Sequence, residues 1–398
     1  MPLAIPPFSL GQLPHIEFGQ GALAKLPAIL ASYGRHVLLV SGANSLTASP
    51  IWPGLCAGFG AHDLSIEHVR IAGEPSPHDV DRLVNHYRDH DVSVVCAIGG
   101  GSVLDAGKAI AGLLQVDHPV GDFLEGVGPE LPYPGPATPF IAVPTTAGTG
   151  SEATKNAVLS TAGKYGYKKS FRHDSLVARV AVVDPDLLES CQPALIAANG
   201  MDALTQLLES YVSLRANAFS DALAQSGLES VAQGLLPWYE NVGDVAAARS
   251  HMAYAALLSG ITLAQVGLGS VHGLASPLGA FFPIPHGVVC GTLVAVATRV
   301  NIAALEQRAP DSLALAKYAQ AGRILSGETL ASDHAARAQL VELLESWTAR
   351  LQLPRLAEYG VAEADFARVV ANSRGSSMKT NPLVLSDAEI TQILAARV

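Results

Sequence analysis

From Ser250 to Thr298 the chain contains no Asp, Glu, Lys or Arg, yet the interior of that stretch holds His272 and His286. An uncharged segment packs against a core, where each imidazole must find a polar partner. Two chemistries meet that need. One is a pair of hydrogen-bonded core histidines. The other is a metal site, because neutral imidazole is the commonest metal ligand. Each His is followed by Gly, as His272-Gly273 and His286-Gly287, which leaves room for a ligand or a backbone to come close.

Upstream, Gly200 to Tyr211 reads as a helix with Asn199 as its N-cap. Asp202 and Gln206 are four residues apart and share a face, which Thr205 and Glu209 extend. Asp202, Gln206 and Glu209 thus form a polar strip on a largely apolar helix. The strip is either solvated, with a first-turn carboxylate suited to the helix dipole, or the carboxylate side of a site that the histidines complete.

A second chemistry lies earlier. The strand Val92–Ile98 runs into Gly99-Gly100-Gly101-Ser102 and then into a helix through Asp105 and Lys108. Bare amides at such a helix start, aided by the dipole, suit a phosphate. The turn matches neither G-x-G-x-x-G nor a Walker A motif, and an ordinary βα turn is the plainer reading. After the next strand comes Pro144-Thr145-Thr146-Ala147-Gly148-Thr149-Gly150-Ser151-Glu152. Its hydroxyls lie just beyond a buried strand, at the carboxyl edge where open α/β sheets bind ligands. Beside the glycine turn it reads as the second wall of one cleft.

These groups need a scaffold. Short apolar strands alternate with helices in the first half. The strands are Ile16–Gly19, His36–Ser41, Val92–Ile98, Ile141–Val143 and Val180–Val183, with helices over Gln20–Tyr33 and Asp79–Asp89. That alternation predicts a parallel sheet covered on both faces. Gly126 to Pro139 reads as a surface loop. From Pro193 onward strand signals fade and Ala/Leu-rich segments take over, at Asp202–Val212, Ala218–Leu235, Ala246–Leu263, Leu313–Leu325, Ala331–Leu351 and Asp387–Ala396. The fold class is therefore α/β, with a parallel-sheet domain over residues 1–187 and an α-helical domain over 188–398.

Composition narrows the options. With 398 residues and 49% hydrophobic content, the chain can build a large core. The four cysteines, Cys56, Cys96, Cys191 and Cys290, form no CxxC pair, which argues against a zinc ribbon or a disulfide scaffold and fits a reducing cytoplasm. A formal charge of −10 disfavours nucleic acid and anionic membrane as partners. The start, Met-Pro-Leu-Ala-Ile-Pro-Pro, lacks the basic region of a signal peptide. Glycines and prolines interrupt the uncharged stretch, which suits short buried helices joined by tight turns rather than a membrane span.

Several ordered motifs resemble one family. They are Gly99-Gly-Gly-Ser-Val-Leu-Asp-Ala-Gly-Lys108, Pro144 to Glu152, Val183-Asp-Pro185, Gly200-Met-Asp-Ala-Leu-Thr205, His272-Gly-x-Ala-x-x-Leu-Gly279 and Pro285-His-Gly287, with Asn381-Pro382 near the C-terminus. Together they resemble the iron-containing (group III) alcohol dehydrogenases, whose fold is dehydroquinate synthase-like. The resemblance implies a dinucleotide-binding domain, a helical domain and a cleft between them. It implies that Gly99, Gly100, Gly101 and Ser102 hold the pyrophosphate and that Thr145, Thr146 and Thr149 contact the cofactor. Lys168 matches a lysine near the nicotinamide. Asp202, His272 and His286 match three metal ligands. The fourth position, usually His, is Gln206 here, and a further family histidine is Ser276.

The implied activity is hydride transfer between NAD(P) and a small alcohol or aldehyde, with the divalent metal, iron(II) or else zinc(II), stabilising the alkoxide. Asp202, His272, His286 and Lys168 would be the catalytic set, in a cytoplasmic homodimer. Two other readings stand beside this one. Gln206 speaks for a metal-free reductase of an oxoacid, similar to maleylacetate reductase, and a degraded His/Asp set would speak for a non-catalytic nucleotide-binding or scaffold protein, although three of the four ligand positions are intact. For cofactor choice, NAD-specific folds place an acid after a strand such as His36–Ser41, and in the resembled family it is an Asp. Here Gly42 stands there, followed by Ala43, Asn44 and Ser45. With no repelling carboxylate, and with Ser41, Asn44 and Ser45 as hydrogen-bond donors, NADP(H) should be accepted at least as well as NAD(H).

Overall fold

A six-stranded parallel sheet occupies the first half of the chain, in the order β1-β8-β5-β4-β2-β3. Its strands are β1 (His15–Phe18), β2 (His36–Gly42), β3 (Ser65–Ile71), β4 (Val94–Gly99), β5 (Phe140–Pro144) and β8 (Val180–Val183). A hairpin of β6 (Asn156–Thr161) and β7 (Tyr167–Arg172) stands apart from the sheet. The computed structural model describes residues 5–163 and 166–398. Residues 1–4 of the proline-rich start therefore lie outside the described residues.

The apolar strands form the sheet because both its faces are covered. On one face Leu38, Val40, Val95 and Ala97 pack with α3 (Pro77–Tyr87) and α4 (Gly101–Leu113). On the other, Leu39, Cys96, Ile141 and Val143 pack with α1 (Leu26–Ala31) and α2 (Trp52–Ala61). Leu38 and Leu39 are fully buried, and each such leucine contributes about 1.5–3 kcal/mol. Neither β3 nor α2 is legible in the sequence. β3 is an edge strand, and exposure of Arg70 with partial exposure of Glu67 and His68 hides its alternation.

The second half is helical. It comprises α5 (Pro193–Val212), α6 (Ala218–Glu240), α7 (Val245–Val266), α8 (Ser270–Phe281), α9 (His286–Arg308), α10 (Leu313–Ser326), α11 (Asp333–Arg350), α12 (Phe366–Asn372) and α13 (Asp387–Ala395). α5 begins seven residues before Gly200, so Asn199 is an interior residue and not an N-cap. Pro193 at the first helical position sets that start, since its missing N–H has no helical partner to lose. Gly200 is a packing site: a Cβ there would lie 2.3 Å from Leu235 Cδ1 of α6.

The uncharged stretch forms most of α7, all of α8 and the first half of α9. α9 is longer than the turns around it suggest. It is long and apolar enough to cross a membrane, but 89% of that stretch is buried inside the protein. Its apolar surface is thus consumed by neighbouring helices. The core of this half reaches the sheet, because Ala147, Ala153, Ala181 and Val183 belong to the same buried cluster as Leu204 and Leu257. Gly150, at φ +59°, makes the junction close: a Cβ there would sit 2.4 Å from the Ala256 carbonyl oxygen of α7.

Candidate active site

Asp202 on α5, His272 in the first turn of α8, and His286 and Cys290 on α9 converge. One ligand atom from each lies within 4.8 Å of every other. Asp202 Oδ1 is 3.2 Å from His272 Nε2 and 3.7 Å from His286 Nε2. Three helices are needed to assemble this group, and the turns Gly267–Gly269 and Phe282–Pro285 aim α8 and α9 at α5.

Glu209 sets the tautomer of His272. Its oxygens accept from the Val271 backbone N–H at 2.7 Å and, more weakly, from the His272 N–H at 3.4 Å. Gly269, the N-cap of α8, offers no side chain, so Glu209 meets the orphan amides and the positive dipole end. The same carboxylate lies 2.7 Å from His272 Nδ1 and must be the acceptor there. When the ring is neutral, as a metal ligand must be, Nε2 therefore carries the lone pair, the carboxylate–histidine arrangement that orients metal ligands.

The residues fit a divalent metal. Asp202 is 1% exposed, yet its Oδ2 has no hydrogen-bond partner, and neither does His286 Nδ1. A buried carboxylate oxygen left bare is costly unless a cation completes it. Burial works against an ionised Asp202, but the two imidazoles outweigh it and hold its carboxyl at about 2. Burial pushes His286 down to about 4, which keeps it neutral as a ligand must be. For His272, burial favours the neutral ring, but Cys290, Asp202 and Glu209 outweigh it and hold its pKa well above the ordinary value in the metal-free protein.

The residues also fit a dinucleotide. β4 ends at Gly99 and α4 begins at Gly101, with Gly100 as an N-cap that has no side-chain bond. The first amides of α4 are open to an anion. A Cβ on Gly101 would lie 2.8 Å from Thr149 Oγ1, so only glycine lets the Thr145–Thr149 loop close over the turn. Behind it, fully buried Lys108 donates to the carbonyl oxygens of Ser151 and Asn156, at 2.8 and 2.7 Å, and faces Asp105 at 3.7 Å. Asp105 accepts from the Val158 N–H at 3.1 Å. The pair ties α4 to the second loop and to β6.

One cleft of about 740 Å³ joins the two sites, within the usual range for a ligand pocket. Gly101, Ser102, Thr149, Lys168, Gln206, His272 and His286 line it. Lys168, on β7, pairs with Glu74, and its carbonyl accepts from Ser276 Oγ at 3.0 Å. Lys168, Glu74 and His286 line the same cleft, and both charges act on His286. Gly99, Gly100 and Thr146 stand at the turn, where the Thr145 N–H donates to the Gly99 carbonyl at 3.0 Å.

Gln206 is 2% exposed, and its Oε1 accepts from Ser259 Oγ of α7 at 3.0 Å. Ser41 is fully buried, with its hydroxyl 3.0 Å from the Gly42 carbonyl and 2.7 Å from His68 Nε2. Ser41 and Gly42 end β2 at the sheet edge and do not line the cleft. Cys290 was missed by sequence reasoning, and so was the orienting role of Glu209. Both left a signal. Cys290 follows His286 by four residues, and Glu209 follows Asp202 by seven, so each pair shares a helix face.

The chain is similar to known proteins over nearly its whole length. Residues 14–185 match the family model for iron-containing alcohol dehydrogenase, and residues 196–398 match that for its C-terminal domain. The 1-propanol dehydrogenase PduQ of Salmonella typhimurium is 33% identical over 91% of this chain and 98% of its own. Long-chain-alcohol dehydrogenase 1 of Geobacillus thermodenitrificans is 31% identical over 96% of this chain and 95% of its own. The crystal structure of a 1,3-propanediol oxidoreductase superposes with a TM-score of 0.89 at 26% identity, covering 99% of this chain and all of that one.

Proposed function

Because the chain belongs to the iron-containing alcohol dehydrogenases, oxidoreductases that act on CH–OH groups, we propose that it transfers hydride between NAD(P) and a small alcohol or aldehyde held against the Asp202, His272 and His286 cluster. Family membership implies a divalent metal and a nicotinamide cofactor. The observation that carries the reading is buried Asp202, whose Oδ1 lies 3.2 and 3.7 Å from two imidazoles that line the cleft and whose Oδ2 has no hydrogen-bond partner, while the open amides of α4 enter the same cleft. A metal-free oxoacid reductase would have no use for that arrangement. The relatives' names, 1-propanol dehydrogenase and long-chain-alcohol dehydrogenase, support a primary alcohol as substrate.

When bound, the metal supplies a Lewis acid that stabilises negative charge on the substrate oxygen, and the nicotinamide supplies the carbon that exchanges hydride with the substrate. The chain's own residues prepare both. The α4 amides and Thr149 would hold the pyrophosphate, and the buried Lys108–Asp105 pair keeps those amides in place. Glu209 holds His272 so that Nε2 faces the site. The uncharged walls of α8 and α9 keep water out, which strengthens every charge inside. Lys168, ion-paired with Glu74 on the cleft wall, would return a proton to the substrate oxygen in the reducing direction.

Iron(II) is the metal the family name suggests, with zinc(II) suited to the same donors. The accompanying proposals are domains over 1–187 and 188–398, a cytoplasmic homodimer, and acceptance of NADP(H) at least equal to NAD(H). The test is metal content and nicotinamide-linked turnover of purified protein across a panel of alcohols and aldehydes. His272→Ala and His286→Ala should each lose bound metal and turnover while the circular dichroism spectrum stays that of the parent. Full activity of either variant in a chelator overturns the proposal.

A further inference from the structure

Cys290 lies one helical turn after His286 on α9, on the same face. Its Sγ is 3.5 Å from His272 Nε2 and 3.8 Å from His286 Nε2. A tetrahedral ion bonded at about 2.0–2.1 Å to nitrogen and oxygen and about 2.3 Å to sulfur would set its ligands about 3.3 Å apart for nitrogen–oxygen pairs and about 3.6 Å apart for sulfur–nitrogen pairs. The observed separations are 3.2 and 3.7 Å from Asp202 Oδ1 to the imidazoles, and 3.5 and 3.8 Å from the sulfur. These are four of the six edges of such a tetrahedron, and the other two separations are within 4.8 Å. The neighbouring polar candidate, Gln206, offers a neutral amide whose oxygen is engaged by Ser259.

We propose that Cys290 is the fourth protein ligand of the metal, bound as thiolate, and that its sulfur moves the site's preference from iron(II) towards zinc(II). This rests on the reading above that the cluster holds a metal. On binding, the S–H bond breaks, the S–metal bond forms and the proton leaves to solvent, with no change in oxidation state. A soft thiolate favours zinc over iron(II) more than an amide or hydroxyl oxygen does. His272, His286 and Gln206 line the cleft, whereas Asp202 and Cys290 do not. The sulfur therefore anchors the ion from behind and leaves the imidazole side to substrate.

The test uses the full chain loaded with Co²⁺, Zn²⁺ or Fe²⁺ without substrate. One equivalent of Co²⁺ should give a near-ultraviolet sulfur-to-cobalt charge-transfer band. Cys290→Ser should lose the band, bind Zn²⁺ at least about a hundredfold more weakly, and show a smaller ratio of zinc to iron(II) affinity. Circular dichroism and reduced-nicotinamide fluorescence check its fold. Should the variant misfold, the parent still decides, because bound Co²⁺ must give the band there. A parent that binds one equivalent of Co²⁺ without the band overturns this inference alone. A parent that binds no metal overturns the proposed function with it.

Discussion

Glu209 touches no ion or substrate, yet the direction of the His272 lone pair depends on it. Its carboxylate takes the Nδ1 proton at 2.7 Å and closes the start of α8 through the Val271 N–H at 2.7 Å. Replacing it with Gln keeps the volume but removes the charge and allows an amide N–H to face Nδ1. Glu209→Gln should then weaken metal binding about 10–100-fold, read by competition with a chelator. It should also lower the melting temperature of the metal-free protein, because the dipole end of α8 loses its anion. Unchanged metal affinity with a lower melting temperature would reduce Glu209 to a helix cap.

At the scale of elements, the proposed control of cofactor choice lies at the end of β2. Gly42 stands where an acid would meet the ribose 2′-hydroxyl and repel a 2′-phosphate. The sheet adds something the loop sequence lacks: Arg70 of β3 lies beside Ser41 in register and brings a positive charge to this edge. Ser41 itself is turned inward, so Asn44 and Ser45 remain as the donors from the loop. Gly42→Asp should shift preference towards NAD(H), with Ser45 Oγ, 3.0 Å from the new Cβ, having to give way. The measurement is kcat/KM for both cofactors in parent and variant. A strong parental preference for NAD(H) would refute the expectation.

The whole molecule carries a pH signature in Glu152. This side chain is 3% exposed where the loop after β5 meets α7, and burial, opposed by its own backbone hydrogen bond and by Lys108, raises its pKa to about 7. The folded state therefore binds a proton more tightly than the unfolded chain does, whose carboxyl titrates near 4.5. The stability contributed by the protonated acid is fully present below about 4.5 and is lost as pH rises through about 7, roughly 3 kcal/mol in all. Lys108 and Asp105 face the same pocket. Glu152→Gln should remove this slope. Denaturant unfolding of parent and variant across pH 4–8 gives the difference curve, and a flat difference would show that Glu152 titrates in the folded protein as it does in the unfolded chain.

Apolar strands alternating with helices determined a parallel sheet by themselves, since only such a sheet buries both faces. The Gly99–Ser102 turn likewise marked the open amides at the start of α4, because they belong to the backbone. The uncharged run from Ser250 to Thr298 marked where His272 and His286 would be dry, and their motifs carried the family. Other features depended on contacts between distant segments. Local propensity misplaced the start of α5, because Gly200 answers to Leu235 of α6. The β6–β7 hairpin, Arg70 beside Ser41 and the engagement of Gln206 by Ser259 arise only when separate strands and helices meet. Cys290 reads in the chain as a small apolar residue on a buried helix. Only the crossing of α5, α8 and α9 brings its sulfur to the donor atoms of Asp202, His272 and His286, because a metal site is a relation between helices that no single segment encodes.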